Sequence, residues 1–238
     1  MCGRFNVSST PGLQELVAAL GLSIDLPPPR FNIAPTENVP LLASFSPSQA
    51  IELRHARWWL TPSWSKGPST RYAMFNARSE TLTKSPAFKR PFARQRGIVP
   101  MSSFIEWRTS TSEDAKSKQP WLITNDSEAL AVAALWDVWN TRGDNDMDPL
   151  LSCTLVTTAA AQEFAPWHKR MPVVLRQEDR DRWLHAESIT DDDALFSPVL
   201  REDLLLTPVD TKVGNSREKH PELMESVGET VRLRSDKK

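Results

Sequence analysis

Residues 129–158 read ALAVAALWDVWNTRGDNDMDPLLSCTLVTT, and this stretch decides the fold class. Two apolar runs, 129–139 and 150–158, carry Val, Leu, Thr and Trp at a density that suits buried strands rather than an amphipathic helix. Between them lies the polar insertion NTRGDNDMD, which has the Gly, Asn and Asp of a hairpin loop and too little apolar character for a domain linker.

Working outward, the same strand signature recurs at VPLLASF (39–45), AIELRHARWWL (50–60), GIVPM (97–101), SFIEWR (103–108), PWLITN (120–125), MPVVL (171–175) and DLLLTPV (203–209). TSTSEDAKSKQ (109–119) reads as a second hairpin loop, PSWSKGPS (62–69) as a loop, and LPPPRFNIAPTENVP (26–40) as extended and proline-rich. Helices are few. Thr10 is placed to cap one, Pro11 suits its first turn, LQELVAAL has helical spacing and Gly21 ends it. Shorter helices are expected over 86–95, 159–165 and 177–184. The expectation is a single α+β domain over 1–238, β-rich, a curved sheet or open barrel with peripheral helices, and a peripheral polar segment at 216–238.

Composition narrows the function classes. With 29 basic and 30 acidic residues the net charge is -1, so overall charge does not announce a nucleic-acid binder. The basic residues are nevertheless uneven: KSPAFKRPFARQRG (84–97) holds Lys84, Lys89, Arg90, Arg94 and Arg96 without an acid, either a positive face or ordinary solvated surface. No run approaches the ~20 apolar residues of a membrane helix, and no secretory signal follows Met1. The two cysteines, Cys2 and Cys153, give no disulfide framework, which points to a reducing cytoplasmic setting. His55, His168, His185 and His220 are scattered, so no metal site and no cofactor are expected.

Four stretches set reactive or hydrogen-bonding residues among apolar neighbours: MCGRF (1–5), MFNARSET (74–81), SSFIEWR (102–108) and APWHKRMPVVL (165–175). Trimming of Met1 would leave Cys2 with a free α-amine beside its thiol, and such a 1,2-aminothiol closes a five-membered ring on one aldehyde carbon. Taken singly, Asn76 reads as a turn residue, Glu106 as a solvent-facing strand position and His168 as a satisfied histidine.

Taken together with FNIAPT (31–36), these motifs resemble the SOS-response-associated peptidase family, the abasic-site-processing proteins. Their order is kept from residue 1 to the VGN of 213–215. The resemblance implies capture of abasic sites in single-stranded DNA by Cys2 as a thiazolidine crosslink that shields the strand from breakage. It also implies associated AP-lyase and self-processing peptidase activity, a monomer, and a nucleoid-associated location in a bacterium. Glu106 is then the general acid/base, His168 the proton-exchange partner of the sugar ring oxygen, and Asn76 the orienting amide. Arg4, Arg78 and Arg170 grip phosphate, while Asn32, Pro35 and Trp64 complete the DNA-binding set, the last two by stacking on or wedging bases. Ser65, Pro86 and Ala87 depart from the family pattern and leave base stacking and phosphate grip there open.

Two rivals follow from the same residues. An N-terminal-nucleophile amidohydrolase also begins Cys-Gly once methionine is lost, and a non-catalytic binder of modified DNA would keep Cys2 as a structural residue.

Overall fold

The computed structural model describes residues 3–24, 26–46, 50–109, 118–140 and 148–235. Among these the strands are β1 (Phe5–Val7), β2 (Arg30–Ile33), β3 (Asn38–Ser44), β4 (Ile51–Trp58), β5 (Asn76–Arg78), β6 (Arg96–Met101), β7 (Ser103–Thr109), β8 (Lys118–Thr124), β9 (Leu130–Trp139), β10 (Leu150–Ala159), β11 (Arg170–Pro172), β12 (Leu204–Pro208) and β13 (Val231–Leu233). The α-helices are α1 (Pro11–Ala19), α2 (Lys89–Arg94) and α3 (Gln177–His185).

The quoted stretch forms the antiparallel pair β9–β10, in register from Leu150 opposite Trp139 to Leu155 opposite Ala134. Pairing continues round β10, β4, β3, β6 and β9, so these five strands close on themselves as a barrel. Closure explains why the strands read as continuous apolar runs: Leu130 to Asp137 are all buried. Gly97 is needed where β6 meets β3, since a Cβ there would lie 2.9 Å from Leu41 Cδ1 and 3.0 Å from the Leu42 carbonyl.

A second sheet, ordered β13-β12-β8-β7-β1-β2, is antiparallel throughout. The chain crosses from barrel to sheet at Ser102, a single residue between β6 and β7 whose N–H and hydroxyl both donate to the Asn6 carbonyl. That crossing lays β7 over the barrel, and Phe5 of β1 packs edge-on against the fully buried Trp58 of β4, ring centroids 4.9 Å apart. The architecture is the expected β-rich α+β fold.

Helix α1 starts as its residues predict: Thr10 Oγ1 accepts from the Leu13 N–H at 3.2 Å, and Gly21 beyond the end takes φ +83°. The expected helix over 159–165 is not formed: Ala159 ends β10, and two successive turns follow, closed by the Ala165 N–H on the Ala161 carbonyl and the His168 N–H on the Phe164 carbonyl. Pro166, between these two donors, supplies no N–H to join the turns into a continuous helix. Both polar insertions join antiparallel partners, β7 to β8 and β9 to β10; 110–117 and 141–147 lie outside the described residues. Of the basic stretch 84–97, Lys84, Lys89, Arg90 and Arg94 are exposed, whereas Arg96 is buried and belongs to the core rather than to a positive face.

Candidate active site

The site lies where the C-terminal half of β10 leaves the barrel. Leu155, Val156 and Thr157 pair in parallel with Asn76, Ala77 and Arg78, and Thr157 to Ala159 pair on the other side with Pro172 to Arg170. One strand therefore holds β5 and β11 together, bringing two motifs about 90 residues apart in sequence to one place. Asn76 is buried, while the Arg78 side chain is exposed. The following residues, Ser79–Thr81, make a single 3-10 turn carrying Glu80.

Strand β7 supplies Glu106. It is 3% exposed and sits directly across from Trp121 of β8, whose ring meets that of Trp167 edge-on at 5.7 Å. Burial pushes the Glu106 carboxyl up to about 7. His168 follows Trp167, and its Nδ1 is 3.9 Å from Glu106 Oε1. The same Nδ1 lies 3.0 Å from the Arg170 backbone nitrogen and 2.9 Å from the Arg170 carbonyl oxygen, so the Nε2–H tautomer accepts from the first and a ring protonated at Nδ1 donates to the second. Burial lowers the His168 pKa; the Arg170 carbonyl opposes this, and the charges of Arg170 and Lys118 add to the lowering. Near neutral pH the pair thus offers a carboxyl that exchanges its proton and an imidazole that is mostly neutral, the combination that proton transfer in both directions requires.

Cys2 lies outside the described residues. The chain just after it is held against β7: the Ile105 N–H donates to the Arg4 carbonyl at 2.9 Å, and Phe5 pairs with Phe104. The Arg4 guanidinium is half-buried, with Nη1 3.0 Å from the Gly3 carbonyl and Nη2 3.4 Å from the Gly214 carbonyl. Arg170 donates from Nη1 and Nη2 to both carboxylate oxygens of Glu80, at 2.5 and 3.0 Å, and from Nη2 to the Thr157 carbonyl at 2.6 Å.

The remaining expected DNA-binding residues divide. Asn32 is fully buried at φ +50°, and its amide donates to the carbonyls of Asn215 and Glu218, so it holds the chain at 213–219 against β2 instead of facing a ligand. Pro35 is half-buried in the turn from Ala34 to Glu37. Trp64 is 58% exposed on a loop fastened by three bonds: Ser63 N–H to Asp137, Arg90 to the Ser63 hydroxyl, and Trp139 Nε1 to the Ser65 carbonyl. Trp64, Lys66, Tyr72 and Met74 line a cleft of about 240 Å³, two residues of chain from Asn76. Tyr72, Glu80 and Thr157 are contributors that sequence reading missed. Tyr72 is the chain's single tyrosine and is exposed, the one signal that pointed to it.

Among the described residues no group of three or more His, Cys, Asp or Glu side chains gathers to hold a metal ion, and no helix is long and apolar enough to cross a membrane.

Residues 1–216 match the family model described as SOS response associated peptidase. The chain is 34% identical over 234 residues to the abasic site processing protein YoqW of Bacillus subtilis (strain 168), covering 95% of this chain and 100% of that one. It is 30% identical over 230 residues to the abasic site processing protein HMCES of Xenopus tropicalis, covering 84% and 66% respectively. A crystal structure of a protein from Bacteroides thetaiotaomicron shares the fold, with TM-score 0.76 and 21% identity over 95% of this chain and 100% of that chain.

Proposed function

The chain belongs to the SOS response associated peptidase family, and from that premise we propose that it captures abasic sites in single-stranded DNA through Cys2 as a thiazolidine crosslink. The observation that carries the reading is the buried Glu106, at about 7, beside His168 and on the strand to which the chain next to Cys2 is hydrogen-bonded.

The chemistry proceeds once Met1 is removed, which is the self-processing step. The protonated fraction of His168 gives a proton to the sugar ring oxygen while the C1′ hydroxyl loses its own to water, opening the abasic deoxyribose to its C1′ aldehyde. The Cys2 α-amine, whose reference pKa is about 7.7 to 8.0, is partly neutral and attacks that carbon. Glu106 then protonates the carbinolamine hydroxyl, which leaves as water, and takes up a proton as the thiol adds to the imine carbon. Two bonds from one residue, C–N and C–S, now hold C1′. Ring closure consumes the iminium, whose persistence would drive β-elimination of the 3′ phosphate. Asn76 orients the sugar or amine without titrating. Arg78 and Arg170 take phosphate oxygens, Arg4 contributes charge beside them, and Trp64 with Pro35 stacks on or separates the flanking bases. Asn32 acts by holding the segment that supports β2.

The test is Cys2→Ser, which keeps the amine and loses the thiol. It is expected to nick a single-stranded abasic oligonucleotide, as a lyase, and to yield no denaturation-resistant adduct unless borohydride traps the imine. An extension before Cys2 is expected to abolish both outcomes. Undiminished stable crosslinking by either variant overturns the mechanism. Ammonia release from glutamine by the wild type would favour the amidohydrolase reading instead.

A further inference from the structure

The outermost charged pair of the site joins an arginine that is mostly buried to a glutamate that is not. Arg170 keeps 16% of its side chain exposed and Glu80 keeps 49%. The guanidinium has a second hold, the Thr157 carbonyl at 2.6 Å, on a strand paired directly with its own. Glu80 stands on a one-turn 3-10 helix two residues past the exposed Arg78. Burial works against ionisation of Glu80, yet the hydrogen bonds from Arg170, its own backbone N–H and Ser79, together with the Arg170 charge, outweigh it and lower its pKa.

A phosphodiester presents two non-bridging oxygens to a guanidinium much as a carboxylate presents its own two, and both dock on the same two-pronged edge. Arg170 cannot offer that edge to a strand while Glu80 occupies it. The partner free to swing into water is Glu80, since Arg170 stays anchored on Thr157. We propose that Glu80 is a built-in competitor for the phosphate subsite at Arg170, displaced when a strand binds, and that it sets how tightly the protein holds DNA before any covalent step.

This proposal rests on the reading of the site as one for single-stranded DNA and adds an affinity-determining residue to it. Its consequence is selective: intact strands are held weakly and released, while a lesion is retained by the covalent bond. Because Arg170 also supplies the N–H and carbonyl that flank the His168 ring, the exchange takes place two residues along the chain from His168.

The experiment measures reversible binding of a fluorescein-labelled oligothymidine, which has no lesion, to wild type, Glu80→Gln, Arg170→Gln and the double variant. Glu187→Gln, an exposed acid on another face, controls for the general gain of removing one negative charge. Glu80→Gln is expected to bind about three- to tenfold tighter than wild type, beyond any gain in the control. Arg170→Gln is expected to bind more weakly, and Glu80→Gln is expected to add nothing in that background. If Glu80→Gln binds no tighter than the control, or binds more weakly and crosslinks abasic strands more slowly, Glu80 is a fixed strut for Arg170 and the proposal is overturned. Crosslinking of an abasic strand by the wild type, run in parallel, reports separately on the underlying reading. Failure of the wild type both to bind and to crosslink overturns that reading and the competitor with it.

Discussion

Two arginines mark opposite ends of the barrel, and their partners differ in kind. Strands β6 and β10 both run antiparallel to β9 and so point the same way; Arg96 opens β6, whereas Arg170 sits beside the last residue of β10. Arg96 is 7% exposed and its hydrogen bonds go to carbonyls: Nε to Trp183 at 2.5 Å, Nη1 to Phe92 at 2.8 Å and to Ala93 at 3.4 Å, and Nη2 to Ala186. Trp183 returns a bond from Nε1 to the Gly97 carbonyl at 2.8 Å, so α2, α3 and β6 are tied at one point. Arg170 instead faces a carboxylate on a half-exposed side chain. Backbone carbonyls cannot leave without unfolding their helices, whereas a glutamate side chain leaves by rotating. The first arrangement suits permanent structure and the second suits exchange with a ligand.

If the two ends are specialised in this way, substitutions should separate activity from stability. The largest effect is expected from Glu106→Gln at the site end, which keeps shape and removes the shuttled proton: a loss of about 10² to 10⁴ in crosslinking rate. The wild-type rate should show an inflection near pH 7 that the variant lacks. Stability should move the other way. The unfolded carboxyl gives up its proton near its ordinary value of 4.5 while the folded one keeps it to about 7, so wild-type stability falls as pH rises through that window. Glu106→Gln, free of this term, is expected to be more stable than wild type above pH 7 by up to about 3 kcal/mol, and level with it below pH 4.5. Thermal unfolding at both pH extremes checks this; an equal offset at both would break the assignment.

Next in size, Arg96→Met at the structural end leaves the carbonyls of Phe92, Ala93, Trp183 and Ala186 without this donor. It is expected to cost about 3 kcal/mol, read as a melting temperature lowered by roughly 6 to 12 °C. The folded fraction should crosslink at the wild-type rate, and a specific activity that falls further would erase the distinction between the ends. The smallest effect is expected from Trp64→Ala. Its side chain is largely exposed, so stability should change by less than about 0.5 kcal/mol. Loss of one stacked base should weaken strand binding by about 1 to 3 kcal/mol, measured by titration with an intact single strand.

Much of the architecture could be read locally. The β9–β10 hairpin announces itself by two apolar runs around a polar insertion, and α1 by a capping threonine, a proline and a terminal glycine, because these signals arise from neighbours in the chain. The expectation over 159–165 failed partly for a local reason, the missing N–H of Pro166, and partly because Ala159 pairs with Arg170 as the last residue of β10. Strand β5 escaped notice because three residues carry no periodicity, and its pairing with β10 is made across the fold.

The residue types of the candidate site, Asn76, Glu106, His168, Arg78 and Arg170, were determined by the sequence itself, since their motifs are contiguous and chemically specific. Which of them meet was decided only by tertiary structure. The Glu106 carboxyl is pushed up to about 7 by its burial opposite Trp121, Asn32 becomes a strut because β2 turns its amide toward 215–218, and Glu80 meets Arg170 because one strand pairs with both their neighbourhoods. Desolvation and ion pairing depend on what lies across space, and a residue's letter specifies its capacity for both without specifying its partner.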